Sequence, residues 1–308
     1  MRRILLCAAV LAAALFSGCA DPTDLGNRAI IQACAVDYDG EYRVSALLFS
    51  SGGSGGNTID ASQENVIKVV GTGKTLAAAI DDISVIDGKK IYMSETKLLV
   101  LGGGFSEETV YGALNTLYYD LKCSLNMPVC CAENAEFLTD LQFTEGITSA
   151  EKPLSMIENA YELGVSPKTT LLDIFADYAA ERPSLIPMFS ETENGRGMTS
   201  SEDGKTAALS GARYLDNGKL TRSFDERQTI SLLLKSGRTD HVFLNYFFRD
   251  EEKTCEAYSI KFSDENDIYA RSWSVSAKFR NRTGGKLPDD EREIALRELI
   301  RAVRGVDY

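Results

Sequence analysis

Histidine is all but missing from this chain: among 308 residues, His241 is the single one. A zinc site of histidine and cysteine ligands has one imidazole to draw on, and no Cys-x-x-Cys pair supplies the rest. Any catalytic triad would have to pass through that one ring. Basic residues are also short, 33 against 45 acidic, for a net charge of −12. That balance argues against nucleic acid, which asks for a basic face, and against electrostatic docking onto anionic lipid. Long apolar runs are missing as well. The longest, residues 4–16, falls well short of the ~20 residues that span a bilayer. Cysteine is present but unpatterned: Cys7, Cys19, Cys34, Cys123, Cys130, Cys131 and Cys255 show no regular spacing. This is no disulfide framework. Buried free thiols are expected, with a bridge from Cys123 to Cys130 or Cys131 as the one pairing left open. No internal repeat is found, and no cofactor or metal is expected.

What is present begins at the first residues. Met1-Arg2-Arg3 is a positive start, residues 4–16 form an apolar core, and Ser17-Gly18-Cys19 follows. The pattern predicts a signal peptide over residues 1–18, cut between Gly18 and Cys19. Small residues just before a cysteine look like the lipobox of bacterial lipoproteins. There the Cys19 thiol takes a diacylglycerol and becomes the first residue of the mature chain. The plainer alternative is a secretory signal with an incidental cysteine. Acylation makes a protein anchored rather than spanning. Losing residues 1–18 removes Arg2 and Arg3 and no acid, so the mature chain is more acidic still.

The remainder reads as mixed α/β: two consecutive domains of mixed sheets with packed helices, residues 19–190 and 206–308. Asp39-Gly40 between apolar runs 29–36 and 42–49 predicts a hairpin. Strands are expected at 66–70, 98–101, 128–131 and 185–189. Helices are expected at 75–86, from Ser106 as N-cap, at 135–141, at 155–163 and at 171–180. Residues 191–205 are polar and glycine-rich without periodicity, which reads as a linker. Beyond it come a strand at 208–215, a turn at 216–218 and a helix opened by the Ser223/Glu226 pair as a capping box. Strands at 242–248, 257–262 and 268–279 and a helix from Pro288 complete the chain. The second domain is expected to be abbreviated.

Three patterns imitate chemistry. Gly71-Thr-Gly73-Lys74-Thr75 resembles a phosphate loop, but Lys68 stands where the first glycine must turn. It is read as a glycine turn with Thr75 as N-cap. Gly52-Gly-Ser54-Gly-Gly56 fits the G-x-S-x-G pattern, yet it opens into polar residues rather than a helix. It is read as a flexible loop. His241 stands at a strand edge and needs no function there. Asp81-Asp82 and Asp289-Asp290-Glu291 read as solvated helix positions, because an acid–base pair needs two converging elements. No catalytic residue is predicted.

Four stretches together resemble the Ger(x)C family, the lipoprotein C subunits of spore germinant receptors. Cys19-Ala-Asp21, then Asp24-Leu25 and a run ending in Asp37, is similar to that family's opening, with Ala20 where its members usually carry tryptophan. Residues 73–80 resemble its helix start, 89–102 the segment after it, and 209–220 with Glu226 and 232–237 the opening of its C-terminal domain. The resemblance implies a non-enzymatic subunit on the outer face of the inner spore membrane. It implies assembly with membrane-embedded receptor subunits, which answer small germinants by triggering release of ions and dipicolinate. Two other classes stay open: an envelope lipoprotein binding a small ligand in an interdomain cleft, and a lipid-anchored hydrolase using Ser54, His241 and a carboxylate.

Overall fold

The computed structural model describes residues 28–49, 66–140, 150–192, 198–199, 206–267 and 270–304. Strands β1 (Arg28–Tyr38) and β2 (Tyr42–Phe49) form the hairpin that Asp39-Gly40 predicts, with Gly40 at φ +76°. A bulge between Ile31 and Ala33 resets the alternation of β1. Ile31, Cys34 and Val36 therefore face one layer of helices, and Ala33 and Ala35 face the other. β3 (Val66–Gly73) pairs antiparallel with β2 and leads into helix α1 (Leu76–Asp87). Thr75 caps α1 by accepting from Ala78 N at 3.1 Å, and Gly88 ends it in the left-handed region.

β4 (Lys90–Tyr92) and β5 (Leu98–Leu101) both lie parallel to β1. β5 is Leu-Leu-Val-Leu and wholly buried, since helices cover both its faces. Helix α2 (Glu107–Asn115) starts from a Ser106/Thr109 capping box, runs into a π turn (Thr116–Asp120), and returns the chain to β6 (Val129–Cys131). Three helices follow: α3 (Glu136–Asp140), α4 (Glu151–Glu162) and α5 (Leu171–Ala179). α4 begins four residues earlier than periodicity suggests, because Pro153 is tolerated in a first turn. β7 (Ser184–Thr192) lies parallel to β6.

β7 then pairs antiparallel with β9 (Thr206–Asp216), from Ser184↔Leu215 to Thr192↔Thr206. The short β8 (Met198–Thr199) also pairs with β9. The strands on either side of residues 193–205 are thus neighbours in one sheet. β10 (Lys219–Phe224) closes its edge after an Asn217-Gly218 turn. The large sheet runs β10-β9-β7-β6-β5-β1-β2-β3 and divides from the second sheet after β10. α6 (Glu226–Lys235) is capped by Asp225 and Gln228 rather than by Ser223 and Glu226. The reason is that Ser223 and Phe224 are still paired with Arg213 and Ala212 in β10.

The second sheet is an antiparallel meander of β11 (Val242–Phe248), β12 (Glu251–Asp267) and β13 (Ala270–Asn281). Ala295, Leu299 and Val303 of the last helix, α7 (Asp289–Arg304), pack into its core. α6 joins the two sheets: Leu232 and Leu233 pack with Ala212 and Phe224, and Ser231 Oγ donates to Val303 O at 2.7 Å. The fold is mixed α/β with helices packed on two sheets, as the patterning predicts.

Candidate functional site

Where β5 ends, the chain crosses by α2 to one face of the large sheet; where β6 ends, α3 and α4 take the other face. Crossovers leaving in opposite directions open a crevice outside the carboxyl ends of the strands. A depression of about 460 Å³ lies there, lined by Asp37, Glu41, Arg43, Thr72, Glu133 and Glu136 among others.

Asp37 closes the end of β1. Its carboxylate accepts from Ala135 N at 3.0 Å and Glu136 N at 3.2 Å, fixing the start of α3. Partial burial raises its pKa, and those two amides oppose the shift. The carboxylate reaches inward because residue 102 is glycine: a Cβ there would stand 1.7 Å from Asp37 Oδ1. Gly104 is needed for a second reason. Its φ is +83°, and a Cβ would stand 1.7 Å from Tyr38 O. Glu136 receives Arg43 Nε at 2.7 Å and Nη2 at 3.1 Å, with Lys68 Nζ at 2.7 Å on the same carboxylate. The Arg43 hydrogen bonds, then Lys68, hold the Glu136 carboxyl down at about 2. Lys68 also pairs with Asp140, and Arg213 Nη1 meets Glu133 at 3.0 Å. Chemically this end can hold charge in place and present an acidic rim. Among the described residues no set of histidine, cysteine and carboxylates is arranged to hold a metal ion.

A second, smaller groove of about 250 Å³ lies between α5 and the loop after α6. Its floor is Asp177, which is buried. Arg182 Nη2 reaches Oδ1 at 2.9 Å and Arg238 Nη2 reaches Oδ2 at 2.9 Å. The second arginine comes from the loop that leads into β11, so this ion pair ties the two sheets together. His241 lies at the same seam. Its Nε2 is 3.1 Å from Glu162 O at the end of α4, and Phe243 N donates to Leu163 O at 3.1 Å. Gly164 lets the backbones approach, since a Cβ there would lie 2.2 Å from His241 O. The imidazole therefore sits against a helix end, with Asp240 Oδ1 at 3.4 Å as its carboxylate neighbour.

The predicted site residues divide as follows. Gly18, Cys19 and Ser54 lie outside the described residues. The glycines of 71–75 are explained by packing: a Cβ on Gly71 would lie 2.3 Å from Ala79 O, and one on Gly73 would lie 2.6 Å from Ala79 N. They let α1 lie against β3. Cys34, Cys123, Cys130, Cys131 and Cys255 are free and buried, and burial pushes the Cys123 and Cys131 thiols up to about 12 and Cys255 to about 11. Such thiols are poor nucleophiles. Sequence reading singled out Asp37 only through resemblance, and the Asp177 ion pair not at all. Arg238 stands 61 positions from Asp177, beyond the reach of any periodic signal.

No curated protein matches the chain. A solved structure, the GerBC protein, is similar over 88% of this chain and 79% of its own, at 16% identity and a TM-score of 0.46. A family model described as the spore germination protein N-terminal domain matches residues 21–191, more than half of the chain. The chain belongs to the Ger(x)C family of spore germination proteins.

Proposed function

We propose that this protein is the lipid-anchored C subunit of a spore germinant receptor, assembling with membrane-embedded subunits and catalysing no reaction itself. The observation that carries this reading is the match of residues 21–191 to the spore germination domain. The signal and the Ser17-Gly18-Cys19 sequence support acylation at Cys19 and a place on the extracytoplasmic face, the outer face of the inner spore membrane. No described helix is long and apolar enough to cross a membrane, so the acyl chains would hold the protein there. The free, buried thiols and the seam position of His241 support a binding role over catalysis.

Two measurements test this. A fatty-acid probe should label the wild-type chain and not Cys19→Ala, and the variant should leave the membrane fraction. Detergent-solubilised wild type should bring down the membrane-embedded receptor subunits. Labelling that survives Cys19→Ala, or recovery without those subunits, overturns the reading.

We further propose that residues 191–205 mark the end of the family's N-terminal domain and are the stretch most open to cleavage, because the stretch is polar and the family match ends at residue 191. Limited proteolysis should nick there first. The two fragments should stay together until denatured, since β7 and β9 pair across the cut. First cleavage within residues 75–141 contradicts this.

A further inference from the structure

The chain enters the fold at the amino end of the large sheet. β1 begins there with Arg28 beside Lys90 of β4. β3 begins at the same level, since Val66 pairs with Phe49 and Phe49 with Ile30. α1 descends along β3 to this end: Gly73 abuts Ala79, Gly71 abuts Ile83, and the last turn therefore lies toward Ile67. At this corner, large apolar side chains stand in water. Val85 is 80% exposed and Ile86 58% on the last turn of α1; Ile67 is 42% exposed on β3 and Tyr92 38% on β4. Single exposed apolar residues are ordinary, but neighbouring ones on converging elements mark a surface that meets something. Basic groups accompany them. The Arg28 guanidinium lies 5.4 Å from the centroid of the Tyr92 ring, and Lys89 and Lys90 follow α1 directly.

We propose that this end is the membrane-facing surface, with Val85, Ile86 and Tyr92 entering the interfacial layer of the bilayer and Lys89, Lys90 and Arg28 at headgroup level. The proposal rests on the acylation of Cys19. Eight residues, 20–27, separate that cysteine from Arg28. Fully extended, they reach about 30 Å at most, so the anchor holds this corner close to the lipid. Aliphatic and aromatic side chains with Lys89, Lys90 and Arg28 beside them, and Asp87 as the acid that ends α1, have the composition of an interfacial contact. The opposite end carries Asp37, Asp39, Glu41, Glu133 and Glu136 against Arg43, Lys68 and Arg213, a net acidic rim that an anionic leaflet repels. Charge and tether thus select the same orientation, and apolar insertion supplies the contact that an acidic chain cannot obtain from charge alone.

The test places an environment-sensitive fluorophore on Val85→Cys, and for comparison on Glu41→Cys, in the full lipidated chain. The protein is reconstituted into phosphatidylglycerol–phosphatidylethanolamine vesicles containing acyl-chain spin labels. The five mature-chain cysteines that the structure describes are buried, so labelling is confined to the introduced thiol. The expected result is a blue shift at position 85 with quenching several-fold above that at position 41. A second chain carries an N-terminal hexahistidine tag in place of Cys19 and is held by nickel-chelating lipid. If the Cys19 chain fails to float with vesicles while the tagged chain is quenched at position 85, the anchor reading falls and the docking surface stands. If both chains float and position 85 remains as water-exposed as position 41, the docking surface is overturned and the anchor stands. Protection of position 85 only when membrane-embedded receptor subunits are present makes this corner a protein interface and also overturns the proposal.

Discussion

At its carboxyl end the large sheet holds Asp37 against two backbone amides and Glu136 between Arg43 and Lys68. At its amino end the same sheet finishes in Val85, Ile86, Ile67 and Tyr92 with their side chains in solvent. One end turns its polar groups toward each other; the other leaves apolar groups without cover. The difference separates stability from recognition. The charges around Asp37 fix where α3 begins and how β1 meets β5, so they are answered within the fold. Val85 and Ile86 make little contribution to the core, which leaves them free for the proposed membrane contact.

The largest effect expected from this contrast is at the carboxyl end. Gly104→Ala would force a Cβ into Tyr38 O and strain a positive φ, which should cost about 3 kcal/mol or more. Gly102→Ala should cost about 2–3 kcal/mol by displacing the Asp37 carboxylate. Urea unfolding measures both, and a loss below about 1 kcal/mol at Gly104 would contradict the close approach of β1 and β5. Next is Asp177→Ala, which leaves Arg182 and Arg238 without their shared buried carboxylate. We expect a loss of about 2–4 kcal/mol and faster proteolysis between the sheets.

Glu136→Gln comes third and depends on pH. The Glu136 carboxyl is held below its ordinary 4.5, at about 2. A depressed carboxyl stabilises the fold above its unfolded pKa and loses that contribution as pH falls toward the folded value. Wild type should therefore lose stability between about pH 4.5 and 2, and Glu136→Gln should flatten that window. Because the side chains are partly exposed, screening leaves about 1 kcal/mol at neutral pH. The smallest effect belongs to the amino end: Val85→Ser and Ile86→Ser should change the unfolding free energy by no more than about 0.5 kcal/mol. A loss above about 2 kcal/mol would place these side chains in the core.

Much of this architecture was legible in residues. Asp39-Gly40 announced the first hairpin, and the spacing of Leu76, Ala79, Ile80 and Ile83 gave both α1 and its buried face. The unbroken Leu98–Leu101 run signalled a strand covered on both sides. β10 was hidden, because Lys-Leu-Thr-Arg-Ser-Phe is a polar edge strand whose pairing comes from β9 and not from its own pattern. That omission moved the cap of α6 back to Ser223. The pairing of β7 with β9 was equally hidden, since a glycine-rich polar stretch of sequence reads alike between domains and between neighbouring strands. At the site, Asp37 showed only as a strand end. Its partners Ala135 and Glu136 lie 98 and 99 positions away, and no local period carries contacts of that range. The proposed anchor rests on consecutive residues 1–19 alone, which lie outside the described residues.

Germinant-triggered dipicolinate release tests most directly the claim that this is an anchored binding subunit and not a catalyst. It is measured on spores carrying Cys19→Ala, His241→Gln or Ser54→Ala beside wild type. The account predicts impaired release from Cys19→Ala spores and wild-type release from the other two. Loss of release in His241→Gln or Ser54→Ala, with the protein folded and still in the membrane fraction, would contradict it.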